Sequence, residues 1–381
     1  MKLFILLCFL IIFISIIQET SINIKETLIN DKSIHNNIYI LYTGGTIGMV
    51  NSPNGLIPKK GFLEEQLNNL IKNNENNQKY AKFTIEEYMP LLDSSNLYPK
   101  DWVKIVKNIA NVYDKYDAFI IIHGTDTMSY TASALSFMLE NLNKTVIITG
   151  SMLPLIKLRN DGHNNLINSL YIASNYTIPE VIIVFDDKII RGCRSTKITS
   201  NLSNAFSSPN YPELGIIGVD ISINDKLIFK QTGVFKPVYF NTDIKVITIK
   251  LFPGIDAQYL QNILVDESIK GVVLETFGIG DAPTDQNFLK IIKMYSQKGV
   301  IFLNITQCYM GYVDQNDYDT GVELYRAGVY SGKDMRPEAG IAKLYYLLTH
   351  YPLERIKNLI GENLRGELNY TRELYNETGK F

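Results

Sequence analysis

Two short segments combine hydroxyl, carboxylate and glycine residues in a way that suits chemistry better than packing. They are Thr43-Gly44-Gly45-Thr46-Ile47-Gly48 and His123-Gly124-Thr125-Asp126-Thr127-Met128. Each follows a run of apolar β-formers, Ile38–Leu41 and Ala118–Ile122, so each is expected where a buried strand gives way to a loop. In an open α/β sheet that edge is where ligands bind. Glycines let backbone N–H groups approach a ligand without interference from a Cβ. The expected chemistry is nucleophilic attack by a threonine hydroxyl on a small polar substrate.

Hydrolysis of a carboxamide sets further demands. A hydroxyl is a weak nucleophile until a base takes its proton, the leaving ammonia must receive a proton, and the developing oxyanion needs fixed donors. A third loop, Arg191–Lys197, offers Lys197, which can form a relay with Thr125 and Asp126. A fourth, Leu92-Asp93-Ser94-Ser95, adds a carboxylate and two hydroxyls able to hold the charged ends of an amino acid. Plainer roles compete with these. Thr46 can be a turn residue, Asp126 a helix N-cap and Lys197 a solvated charge. His123 reads as structural, packed behind its loop, and Cys308 as a small buried hydrophobe.

Positioning such loops requires alternating strands and helices. Strands are expected at Ile38–Tyr42, Ala118–His123, Thr145–Thr149, Glu180–Phe185, Lys245–Leu251, Gly271–Thr276 and Val300–Ile305. Helices are expected at Gly61–Lys72, Lys100–Tyr116, Ser129–Leu142, Asp161–Asn175, Asp256–Leu264, Gln286–Gln297, Ala339–Leu348 and Leu353–Ile360. This alternation predicts an α/β fold with parallel sheets and crossover connections. A mixed, turn-rich stretch at Asn224–Pro237 divides the chain into domains at 36–225 and 240–381. Asn-rich 72–79 is expected to be a loop or insertion.

The chain of 381 residues has room for two domains, and its 46% hydrophobic content fits a real core. A net charge of −2 gives no pull toward nucleic acid. Cys8, Cys193 and Cys308 have no metal-ligand spacing, so no disulfide framework or metal site is expected. At the N-terminus, Met1-Lys2 precedes an apolar run, Leu3–Ile17, interrupted only by Ser15, with a polar exit at Gln18-Glu19-Thr20. Residues 1–20 read as a signal peptide, or as a signal anchor if uncleaved, which alone would attach the protein to a membrane.

Taken in order, Thr-Gly-Gly-Thr-Ile-Gly, Asp-Ser-Ser, His-Gly-Thr-Asp-Thr-Met and Ser-Thr-Lys resemble the L-asparaginase family. The likeness runs from Ile38 to about Leu368 and is nearest to the bacterial type I branch and the animal asparaginase domain. It takes in Tyr130–Leu142 and Leu364-Arg365-Gly366-Glu367-Leu368. The resemblance implies a larger N-terminal flavodoxin/Rossmann-like parallel-sheet domain and a smaller C-terminal α/β domain. It implies hydrolysis of L-asparagine to L-aspartate and ammonia with no metal or organic cofactor. It also implies a homodimer or homotetramer whose partner helps to close each site. By matching motif, Thr46 resembles the nucleophile that forms an acyl-enzyme, and Thr125, Asp126 and Lys197 resemble a second triad. Asp93, Ser94 and Ser95, with Thr125 and Asp126, resemble the residues that hold the substrate.

The chain departs from the family pattern at several places. Leu56 stands where type I bacterial enzymes carry a tyrosine, which makes Tyr318 the candidate accessory phenol. Asp281 stands where the partner-facing loop is expected to carry Asn. Glu275 stands where cooperative bacterial enzymes carry an effector-binding arginine. The type I branch is usually cytosolic, whereas the N-terminal segment here points to the secretory pathway or an extracytoplasmic location. Two other functions fit the same fold: a non-catalytic amino-acid-binding protein, and an amidotransferase subunit, which would want an added module and basic surface.

Overall fold

The computed structural model describes residues 35–53, 55–72, 80–315 and 319–369. The expected targeting segment at 1–20 and the Asn-rich 73–79 therefore lie outside the described residues, as does Tyr318.

The N-terminal sheet has eight strands. In chain order they are β1 (Asn37–Gly44), β2 (Lys82–Leu92), β3 (Ala118–Ile122), β4 (Thr145–Thr149), β5 (Val181–Phe185), β6 (Lys188–Arg191), β7 (Gly215–Ile217) and β8 (Ile221–Ile223). Their spatial order is β8-β7-β6-β5-β4-β3-β1-β2. The pairs from β2 to β5 are parallel, and β6, β7 and β8 continue the sheet as an antiparallel meander. In β3, β4 and β5 every residue is buried, the pattern of strands covered by helices on both faces. The C-terminal sheet is smaller and wholly parallel, in the order β9 (Lys245–Lys250), β10 (Ile269–Thr276), β11 (Ile301–Thr306) and β12 (Val329–Ser331).

The expected strand and helix cores are present, and the differences have local causes. β2 escapes the sequence because it is an edge strand with polar residues on alternate positions and a proline at 90. The helix expected at Ser129–Leu142 stops at Met138, because Leu139–Glu140 leaves to pair antiparallel with Lys236–Pro237. Asn141 takes a positive φ of 54° just beyond that exchange. The segment after Gly48 forms an antiparallel hairpin, Met49–Ser52 with Gly55–Pro58, which places Leu56 on an exposed strand. Cys308 is exposed rather than buried, since it lies in the loop that leaves β11, whereas Cys193 is the buried thiol.

The helices needed below are α1 (Phe62–Lys72), α2 (Pro99–Val112), α3 (Met128–Met138), α4 (Gly162–Asn175), α5 (Ala257–Leu264), α6 (Gln286–Gln297), α7 (Asp319–Arg326), α8 (Pro337–His350) and α9 (Leu353–Leu359). α2 begins on Pro99, and Asp101 accepts from the Tyr98 N–H at 2.8 Å, so the first turn is both preset and capped. Its stripe of Trp102, Ile105, Val106 and Ile109 faces inward at helical spacing.

The two domains share one hydrophobic cluster. Leu135, Phe137 and Met138 of α3 belong to it together with Ala342, Leu344, Tyr345 and Leu347 of α8 and Val273 of β10. Trp102 meets Phe240 and Tyr345 edge-on at 6.3 and 6.1 Å, and Phe240 stacks on Tyr345. The far face of each sheet has a separate core of its own.

Residues 361–369 return to the joint. Arg191 Nη1 and Arg194 Nε donate to the Gly366 carbonyl at 3.3 and 2.8 Å, and Arg365 Nη2 reaches Glu140 Oε1 at 3.0 Å. Glu367 pairs with Lys343 at 2.7 Å, with both side chains fully buried. The backbone N–H groups of Leu364 and Arg365 also donate to Glu367, and Lys343 donates to the Glu362 carbonyl. Removing one member of a buried pair leaves an uncompensated charge. Lys343→Met is therefore expected to lower unfolding free energy by about 3–5 kcal/mol, with part of the loss recovered in Lys343→Met/Glu367→Gln. Urea denaturation measures both, and a single variant as stable as the parent would refute the assignment.

Candidate active site

β1 ends at Gly44, where the chain needs a left-handed turn: Gly44 has φ 136° and Gly45 φ 99°. A Cβ on Gly44 would stand 2.0 Å from the Leu92 carbonyl oxygen. One on Gly45 would stand 2.6 Å from both Cα and N of Gly124. Only glycines allow the first loop to close onto the second at this distance. Thr46 opens a short 3-10 turn, Thr46–Gly48, and is half-buried. The turn is tied down by the Ile47 carbonyl, which accepts from Leu155 N at 3.1 Å.

The second loop follows β3. Thr125 is buried and Asp126 is exposed. Asp126 is not the helix cap that its position suggests: the N-cap of α3 is Thr127, and the Asp126 carboxylate turns instead to Lys197. Lys197 Nζ donates to Thr125 Oγ1 at 2.8 Å and to Asp126 Oδ1 at 2.7 Å. With lysine as donor, the Thr125 hydroxyl hydrogen is free to point elsewhere. The Asp126 side chain is 61% exposed, so the ion pair serves orientation more than stability.

The loop after β2 carries Asp93, Ser94 and Ser95. Ser94 is buried, whereas Asp93 and Ser95 are exposed. Asp93 accepts from Ser95 N at 3.1 Å and caps the short turn Ser94–Asn96. A Cβ on Gly124 would lie 2.4 Å from Ser94 Oγ, and Thr127 Oγ1 donates to the Ser94 carbonyl at 2.9 Å. Gly45, Gly124 and Ser94 are thus in mutual contact, and all four segments singled out in the sequence converge at the carboxyl ends of β1, β2 and β3. Sequence reasoning missed Thr127, whose only signal is its place beside Asp126.

His123 lies directly beneath the second loop, fully buried. Its Nδ1 is 2.6 Å from the Gly124 carbonyl and its Nε2 is 3.0 Å from Thr131 Oγ1, which receives Trp102 Nε1–H at 3.1 Å. A carbonyl can only accept, so Nδ1 carries the proton and Nε2 accepts from Thr131. The ring faces away from the exposed side of the loop and acts as its support.

The arrangement offers two threonine hydroxyls, a lysine, a carboxylate and backbone N–H groups freed by glycine. That set can attack a carbonyl carbon and move a proton. Among the described residues no group of His, Cys, Asp and Glu could hold a metal ion. A cavity of about 990 Å³ opens nearby, lined by Asp161, Asn164, Asp186, Asn201 and their neighbours, but none of Thr46, Thr125, Asp126 or Lys197 lines it.

Residues 37–229 match the family described as Asparaginase, N-terminal, and residues 245–359 match the Glutaminase/Asparaginase C-terminal domain. The chain belongs to the asparaginase family. It is 44% identical to L-asparaginase 1 of Escherichia coli (strain K12) over 335 residues, covering 87% of this chain and 97% of that one. It is similar to the crystal structure of L-asparaginase I from Vibrio cholerae, with TM-score 0.80, 45% identity, and coverage of 88% and 99%. The thermostable L-asparaginase from Thermococcus kodakarensis matches with TM-score 0.78 and 31% identity over 88% of this chain and all of that one. Of the departures from the family pattern, Leu56 and Asp281 sit on the exposed hairpin and on the loop after β10, where Thr320 donates to Asp281.

The buried imidazole makes folding pH-dependent. Burial pushes His123 down from 6.5 to about 4, against the opposing pull of its bond to Gly124. Between those values the unfolded chain binds a proton that the folded protein refuses. The contribution is present above about pH 6.5 and is lost as pH falls toward 4, roughly 3 kcal/mol in all. His123→Asn keeps a donor near the Gly124 carbonyl and does not titrate. It is expected to flatten the fall in folding free energy between pH 6.5 and 4 relative to the parent, and an unchanged slope would refute this.

Proposed function

We propose that this protein is an L-asparagine amidohydrolase acting through a threonine acyl-enzyme. The observation that carries it is Lys197 Nζ, held within hydrogen-bond distance of both Thr125 and Asp126 on a loop that touches the Thr46 loop through Gly45 and Gly124. A binding protein has no use for a lysine aimed at a buried hydroxyl. Family membership, and relatives named L-asparaginase at 44% and 45% identity, support the same reading.

In the proposed mechanism the substrate's α-ammonium and α-carboxylate rest among Asp93, Ser94, Ser95 and Asp126. Thr46 Oγ attacks the side-chain carboxamide carbon. The new C–O bond replaces the C–N bond, and ammonia departs with the hydroxyl proton. Water then attacks the ester carbon, restoring the Thr46 hydroxyl and releasing L-aspartate. Thr125, oriented by Lys197 and Asp126, relays protons in both halves. Backbone N–H groups beside Gly45 and Gly124 stabilise the oxyanion. The small, hydroxyl-rich pocket loops suit L-asparagine better than L-glutamine, but one methylene changes transition-state binding by only about 1–3 kcal/mol, so a minor glutaminase activity accompanies the main one.

The accessory role for Tyr318 rests on its place ahead of α7 and the lack of a tyrosine at 56. A homodimer or homotetramer is the expected assembly, supported by the family resemblance. The apolar run Leu3–Ile17 supports an extracytoplasmic destination, with a cytoplasmic one as the alternative.

Ammonia release from L-asparagine and L-glutamine by protein lacking residues 1–17 tests the reading. Turnover of L-asparagine is expected to exceed that of L-glutamine. Thr46→Ala and Thr125→Ala are each expected to reduce kcat by roughly a thousandfold or more. Inactivity of the parent on both amides would end the proposal.

A further inference from the structure

Lys197 ends a segment whose three preceding residues are buried: Arg194 and Ser195 completely, Thr196 to 7% exposure. Ser195 Oγ donates locally, to the Gly192 carbonyl at 2.7 Å. The other two reach into the C-terminal domain. Arg194 Nη1 pairs with Asp334 Oδ2 at 2.8 Å, and Thr196 Oγ1 donates to Glu338 Oε1 at 2.6 Å across a sequence separation of 142. Glu338 lies in the first turn of α8 and is itself buried.

Thr196 and Lys197 form a two-residue strand paired antiparallel with Phe206 and Ser207. Successive side chains of a strand point to opposite faces. Anchoring Thr196 on Glu338 therefore fixes the opposite projection, along which Lys197 runs to Thr125 and Asp126. Lysine has four rotatable bonds, so the placement of its backbone decides whether Nζ finds both acceptors at once. Glu338 is an expensive anchor. Among the described residues its Oε2 is buried with no side-chain hydrogen-bond partner; burial pushes the carboxyl up, the hydrogen bond from Thr196 and the charge of Arg336 oppose that, and the field of Glu275 adds to it. A buried acid with one idle oxygen adds little to stability, which is what a group kept for position rather than for folding would show.

We propose that Glu338 is a positioning residue for the hydrolytic site, holding Thr196 so that Lys197 is presented to Thr125 and Asp126. This rests on the asparagine-hydrolysing reading for its kinetic arm only. Glu338 touches no reacting atom. Through it the C-terminal domain contributes to a site built from N-terminal loops.

The test uses the full chain with Thr196→Val, Thr196→Ser, Glu338→Ala, Glu338→Gln and the double variant Thr196→Val/Glu338→Ala. Two quantities are read: steady-state kinetics on L-asparagine, and the rate at which a mild acylating reagent modifies Lys197 in the folded protein, followed by mass spectrometry. Displacement of a catalytic partner by about 1 Å costs up to 100-fold in rate. Thr196→Val and Glu338→Ala are each expected to lower kcat roughly 10- to 100-fold with KM within about threefold, and to raise the Lys197 acylation rate severalfold. Thr196→Ser and Glu338→Gln, which keep donor and acceptor, are expected to restore both quantities to near parental values. The double variant should be no worse than the poorer single, since both remove one link.

Folded Thr196→Val or Glu338→Ala protein with parental kcat and parental Lys197 reactivity would overturn the proposal. Multiplicative losses in the double variant would do the same. Should Glu338→Ala fail to fold, Thr196→Val, which is nearly isosteric, decides alone. If the parent has no amidase activity, the function reading falls while the acylation rates still decide this one.

Discussion

The packing of α3 against α8 is the contact on which the rest of the molecule depends. α3 starts at the residue after Thr127, so its first turn sets where Thr125 and Asp126 stand. Its body is almost wholly buried, and Leu135, Phe137 and Met138 enter one apolar cluster with the C-terminal domain. α8 brings Ala342 to the same joint, together with Glu338 bonded to Thr196 and Lys343 paired with Glu367. Apolar contact supplies the adhesion, and the buried polar groups fix the register. The N-terminal domain has the loops, but the joint determines how one of them is held.

The site itself is an exercise in removing side chains. At Gly44, Gly45 and Gly124 a single added carbon would meet Leu92, Gly124 or Ser94 well inside van der Waals distance. The loops can therefore touch backbone to backbone, which brings their N–H groups and hydroxyls together. Rigid support comes from below. The chain Trp102, Thr131, His123 and the Gly124 carbonyl is fully hydrogen-bonded, and each donor in it has one acceptor. Such a network holds a peptide plane without adding charge near the chemistry.

Much of this was legible in the sequence wherever one physical signal dominated. Short β-branched apolar runs such as Phe119–Ile122 and Val146–Ile148, bounded by turn residues, read as strands buried on both faces, which puts the motifs that follow them at the strand ends. The signal faded at edges. β2 reads as a charged stretch because half of each edge strand faces water, and β6 to β8 are too short to show a period. Asp126 had two plausible partners, an N–H of α3 and a lysine about seventy residues on. Local sequence favours the nearer, and tertiary structure supplied the farther. Cys308 was misjudged because thiol burial depends on which side of a loop faces out. Nothing near Thr196 or Glu338 announces their bond, which arises only when two domains meet.

The turn at residues 361–369 has a consequence for synthesis. Arg191 and Arg194 are buried guanidinium groups that share the carbonyl of Gly366, and Arg194 also needs Asp334. Those acceptors leave the ribosome well after the N-terminal sheet is complete. A nascent chain thus carries the segment next to Lys197 with its anchors still missing, and gains them only once Asp334 and Gly366 have emerged. Fragments that end ahead of Gly366 lack the clasp altogether, so the segment that presents Lys197 is completed only by a residue 172 positions beyond Arg194.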